Sequence, residues 1–124
     1  MKYVCLTLAI LVVAATAAKP PDVQVVDAKC HRTEDKVALD GKVKVTADKP
    51  LKGLVLEFAF LSASGDVLTT EKAEVSDETM HKNDESSFHC EAFNPPGSIR
   101  YKIAAYDTSG RDLRIGNDGP FIID

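Results

Sequence analysis

The stretch "VALDGKVKVTAD" (residues 37–48) decides how the chain is read. Small and apolar residues recur at every second position: Leu39, Gly41, Val43, Val45 and Ala47. Lys42, Lys44 and Thr46 fall between them. A period of two turns one set of side chains toward a core and the other toward water. That is the geometry of a half-buried strand, and a helix cannot satisfy it.

The alternation spreads in both directions. After the turn "KPLKG" (49–53) comes "LVLEFAFL" (54–61), with Leu54, Leu56, Phe58 and Phe60 on one parity. Only Glu57 clearly marks its other face, so it is expected mid-sheet. "SASGD" (62–66) closes a hairpin into "VLTTEKAEV" (67–75), whose polar, threonine-rich character predicts an edge strand. Upstream, "DVQVVDAKCH" (22–31) places Val26, Ala28 and Cys30 on one face. Val23 and Val25 are out of step with them, which predicts a bulge before Val26. Downstream, "SFHCEAF" (87–93) alternates through Phe88, Cys90 and Ala92. "IRYKIAAYD" (99–107) is expected to turn Ile99, Tyr101, Ile103 and Ala105 inward. "LRIG" and "GPFIID" supply the last strand. The two Ser-Gly turns, in "SASGD" and "DTSGRD", read as ordinary hairpins in which Gly65 and Gly110 take positive φ.

About seven short strands, turns every 8 to 12 residues and no helical period predict an all-β chain, a single antiparallel two-sheet sandwich. On strand pattern it resembles the immunoglobulin and fibronectin type III sandwiches. The chain has no tryptophan and so lacks the buried one of true immunoglobulin domains.

The first residues bear on compartment. Lys2 precedes the apolar run "VCLTLAILVVAA", which leads into the small residues "ATAA". This is the pattern of a secretory signal peptide over residues 1–18, with cleavage after Ala18. The run is too short for a membrane span of about 20 residues. A secreted, extracellular domain over residues 19–124 is therefore expected, with no membrane span. Loss of Lys2 takes the net charge from −4 to −5 (−4 − 1). That mild acidity argues against a nucleic-acid partner.

Cys5 leaves with the leader, so Cys30 and Cys90 remain. Each has a histidine neighbour, in "KCHR" and "FHCE", and the four residues invite comparison with a zinc site. Neighbours on a strand point to opposite faces, so Cys-His and His-Cys cannot easily converge on one ion. A buried Cys30–Cys90 disulfide with outward His31 and His89 fits better. It would stabilise the fold by about 4 kcal/mol in the chain-entropy model. No metal and no cofactor are expected. If the two strands were neighbours, His31 and His89 could still meet on the outer surface.

No serine lies in a G-x-S-x-G elbow, and no other catalytic arrangement stands out. "SDETMHKNDES" (76–86) lacks the spacing of a calcium loop and reads as a charged, mobile loop carrying Asp77, Glu78 and His81. "NPPGS" (94–98), with Asn94, Pro95, Pro96 and Gly97, is a stiff turn suited to recognition. These two loops are the candidate binding loops. The expectation is a non-enzymatic recognition module, a monomer or weak dimer, for an extracellular protein or cell-surface partner. The alternative is a small lipid carrier holding an apolar ligand between its sheets.

Overall fold

The computed structural model describes residues 20–124. The expected leader, residues 1–18, lies outside the described residues. Nine strands follow in order: β1 (Val23–Arg32), β2 (Lys36–Val45), β3 (Leu51–Leu61), β4 (Val67–Met80), β5 (Glu85–Phe93), β6 (Arg100–Tyr106), β7 (Asp112–Leu113), β8 (Ile115–Gly116) and β9 (Phe121–Ile122). No helix among the described residues is long and apolar enough to cross a membrane.

The strands form two packed sheets. One has the order β5-β2-β1-β8; the other runs β4-β3-β6-β7, with β9 also pairing β6. All pairings are antiparallel except that of β1 with β8, where Val23 opposes Ile115 in parallel. The apolar stretch at β3 is central and the threonine-rich β4 is an edge, as the patterns indicated.

The core forms where the inner parities meet. Leu39, Val43 and Val45 of β2 face Leu54, Leu56, Phe58 and Phe60 of β3, all fully buried. Burying such a side chain contributes about 1.5–3 kcal/mol each. Four rings form a row in the core, Phe88 from one sheet and Phe58, Tyr101 and Phe121 from the other. Phe88 lies 5.5 Å from Phe58, Phe58 lies 6.5 Å from Tyr101, and Tyr101 lies 5.3 Å from Phe121. Their tilted arrangement is the one ring quadrupoles favour.

The predicted bulge is present. Val25 pairs Val43 and Asp27 pairs Lys42, which leaves Val26 unpaired. The extra residue resets the parity, so Val23 and Val25 are buried beside Cys30 while Val26 turns out, 51% exposed. Its expected inward position is therefore corrected. Ile99 is corrected too, being 39% exposed. It precedes β6, which begins at Arg100. The expected mobile segment 76–86 is instead an ordered β-connection. Ser76–Met80 belongs to β4, and the turn at residues 81–84 is hydrogen-bonded to β2 through Asn83 N–H to Val45 O and Val45 N–H to Asp84 O, each 2.8 Å.

Both Ser-Gly hairpins have the geometry expected of them. Gly65 and Gly110 have φ of 90° and 91°. Gly65 N–H donates to Ser62 O and Gly110 N–H to Asp107 O, each at 3.0 Å.

Candidate functional site

The two candidate loops do not share a surface. Residues 81–84 precede β5 and residues 94–98 follow it, so the nine residues of β5 hold them roughly 27 Å apart. Asp77 and Glu78 lie within β4 at the 81–84 end. His81 is tied down there, its N–H donating to Asp84 Oδ2 at 2.8 Å. Among the described residues no group of three or more His, Cys, Asp or Glu side chains is placed to hold a metal.

The 94–98 connection is rigid. Ser98 N–H donates to Pro95 O at 3.2 Å, with Gly97 at φ 83°. Proline at the second position and positive-φ glycine at the third make this a type II turn. Ser98 is buried and its hydroxyl also donates to Pro95 O, at 2.8 Å. Arg32 Nη2 donates to Ser98 O, and Asn94 N–H donates to Asp35 O at 3.0 Å. Pro95 packs inward while Pro96 and Gly97 remain exposed.

Beside this turn stands Phe93. Phe88, Cys90 and Ala92 take the inner parity of β5, so Phe93 is forced off the core and is 75% exposed. Leu68 approaches from the other sheet. Phe60 pairs Thr69 and Leu61 pairs Val67, so Leu68 is an extra residue at a bulge, 43% exposed. β4 and β5 are edge strands of opposite sheets. Between them Leu68, Thr69, Glu71, Phe93, Pro95 and Pro96 line an open groove of about 440 Å³. The sequence reading found the prolines but missed Phe93 and Leu68. An aromatic following Ala92 on the outward parity was the available signal for Phe93; nothing in the alternation marked Leu68.

A second depression, on the outer face of the five-stranded sheet, is lined by Glu57, Ala59, Lys102, Tyr106, Asp112 and Asp118 among others. Its polar groups already answer one another. Tyr106 O–H donates to Glu57 Oε1 at 3.0 Å, and Lys102 pairs with Asp118 at 3.9 Å. Lys72 Nζ lies 5.6 Å from the centre of the Tyr106 ring.

The cysteines depart from expectation. Both are free, buried thiols. Cys30 opposes Leu39 on one side and Cys90 opposes it on the other. The two thiols therefore share one sheet with β2 between them, roughly 10 Å apart at Cα, beyond the reach of a disulfide. Burial pushes the Cys30 thiol up to about 11. Burial also raises Cys90, with Glu71 and Glu91 adding to the effect. Both shifts work against thiolate formation.

The histidines do not meet either. His31 opposes Ala38 and His89 opposes Asp40, so β2 separates them by roughly 12 Å at Cα. His89 is instead held between carboxylates: Nδ1 lies 2.6 Å from Asp40 Oδ1 and Nε2 lies 3.3 Å from Glu91 Oε2. Both contacts are hydrogen bonds only when both nitrogens carry protons. The bond to Asp40, then that to Glu91, accordingly raises the imidazole pKa.

No protein-family model matches the chain, and no curated protein sequence matches it. Solved structures do. A calcium-binding mutant of Bacteroides uniformis beta-glucuronidase 2 is similar at 15% identity and a TM-score of 0.52, over 82% of this chain and 13% of that one. A beta-glucosidase from Kluyveromyces marxianus is similar at 17% identity and a TM-score of 0.42, over 83% of this chain and 14% of that one. The first likeness shows the fold alone: this sandwich also occurs as a small part of a much longer chain.

Proposed function

We propose that the chain is a secreted, non-enzymatic recognition module, binding an extracellular protein or cell-surface partner through the groove at Phe93. The observation that carries this is the exposure of Phe93 within a groove also lined by Leu68, Pro95 and Pro96. Exposed apolar patches with polar surroundings mark interaction sites, and aromatic anchors dominate interface energetics. The rigid turn adds to this, since little order is lost on binding. Secretion is supported by the apolar run after Lys2. The Phe58 ring packs on Phe88 of the opposite sheet and on Tyr101 of its own, which favours this reading over lipid carriage, because a ligand between the sheets would have to displace these rings. Strand order supports an immunoglobulin- or fibronectin-III-like type: first, second and fifth strands in one sheet, third, fourth, sixth and seventh in the other.

A photo-crosslinking phenylalanine analogue at Phe93 tests the reading in extracellular fluid of the source. A discrete protein adduct is expected, absent when the analogue replaces Val26. No adduct, or the same adduct from both positions, would contradict it.

A further inference from the structure

We propose, on the basis of the recognition reading above, that the groove takes an extended segment of the partner carrying a basic side chain beside apolar ones. Three observations lead there.

The first is shape. The groove runs along the start of β4, an edge strand whose outer side has no neighbour in the sheet. Between the bulges at Leu68 and Val75, β4 pairs regularly with β3 from Thr69 to Glu74. A regular edge of that length accepts an added strand of about six residues, main chain supplying affinity and alternate side chains entering the pocket. At Val75 a second register shift interrupts the regular pairing and limits the template.

The second is the lining. Leu68, Phe93, Pro95 and Pro96 make the walls apolar, and the hydrogen-bonded turn fixes the two prolines. An apolar side chain of the incoming strand suits them.

The third is charge. Glu71 is the one ionisable group in the lining. It is half-buried on the inner parity of β4, opposite Phe58, and has no ion-pair partner among the described residues. The nearby cations are engaged elsewhere: Lys36 lies 3.9 Å from Glu91, and Lys72 turns to the outer face over Tyr106. Filling the groove strips water from Glu71. An occupant with no cation leaves it buried and unpaired, and an acidic occupant is repelled. A lysine or arginine converts that cost into selectivity.

The test uses three capped six-residue peptides of alternating valine and threonine, beginning with valine, so that the third side chain shares its face with two valines. They differ only at the third position, which is lysine, glutamine or glutamate. Each is titrated into the ¹⁵N-labelled chain to millimolar concentration. The lysine peptide is expected to shift the amides of Leu68–Glu71 and Phe93 and to bind about five- to tenfold more tightly than the glutamate peptide, the scale of a partly exposed ion pair gained against a repulsion. Glu71→Gln removes that preference while the shifts persist. Equal binding of all three peptides at the groove would overturn the charge assignment and leave the recognition reading standing. No shift at the groove, with a photo-adduct at Phe93, would overturn the extended-segment occupant alone. No shift and no adduct would overturn both.

Discussion

Cys30 and Cys90 point into the same core from one sheet and stand on either side of Leu39, in line with it across three strands. Both are therefore on the inner parity, yet they cannot be bridged. Denatured without reductant, the chain is expected to take up iodoacetamide at Cys30 and at Cys90, and reductant should leave its melting temperature unchanged. In the folded state alkylation should be slow, because burial holds the thiols protonated. A mass two protons below that of the reduced chain would show a bridge and contradict this strand order.

His89 should titrate above its ordinary value, by virtue of Asp40 first and Glu91 second. The sign for stability follows from a raised folded pKa. The contribution is fully present below the unfolded value of about 6.5 and is lost as pH rises through the folded one. Asp40→Asn should therefore cost more stability at pH 5.5 than at pH 8.5. An NMR titration of the His89 ring in both chains reads the shift directly, and identical curves would contradict the contact.

Gly41 opposes Phe88 across β2 and β5. A Cβ there would sit 2.6 Å from Cε2 of Phe88 and closer still to the Asp27 carbonyl. Replacing glycine by alanine can gain about 0.4–1 kcal/mol through the unfolded chain. Overpacking costs about 1–3 kcal/mol, so it should win. Gly41→Ala is expected to lower the urea midpoint, and Phe88→Leu in the same chain to recover part of the loss, since the two sites couple. A midpoint unchanged by Gly41→Ala would show that the ring does not cover this position.

Asp107 organises the second Ser-Gly hairpin. Its Oδ1 accepts from Ser109 N–H, Ser109 O–H and Arg111 N–H at 3.0, 2.7 and 2.9 Å. These bonds, the Ser109 hydroxyl's first, hold its pKa down to about 2 from 3.8. A depressed carboxylate contributes stability above its unfolded value, and that contribution is lost as pH falls toward 2. Asp107→Asn should lower the melting temperature at pH 7 and make little difference at pH 2. An equal drop at both would assign the effect to packing instead.

The alternation was legible because burial acts on parity. Leu39, Val43, Phe58, Phe88 and Tyr101 all lie where a period of two placed them. Sheet membership was not, since parity says which residues face in and not which sheet supplies them. That is why two inward cysteines suggested a Cys30–Cys90 disulfide. Bulges were legible only where they broke an apolar series, as at Val26; Leu68 stands between Val67 and two threonines, where no alternating apolar series runs for a bulge to break. The groove depends on that bulge and on two edge strands coming together, so its place could not be read along the chain. The segment 76–86 looked mobile by composition, but its backbone bonds to β2 are long-range and leave no mark on local charge.

Recognition at the Phe93 groove is tested by amide hydrogen exchange of the folded chain, alone and with the partner recovered through the Phe93 crosslink. Added protection is expected at Leu68–Glu71 and across Phe93–Gly97, with the turn at residues 81–84 unchanged. Protection centred on residues 81–84, or on the outer face around Tyr106 and Lys102, would place recognition elsewhere and contradict it.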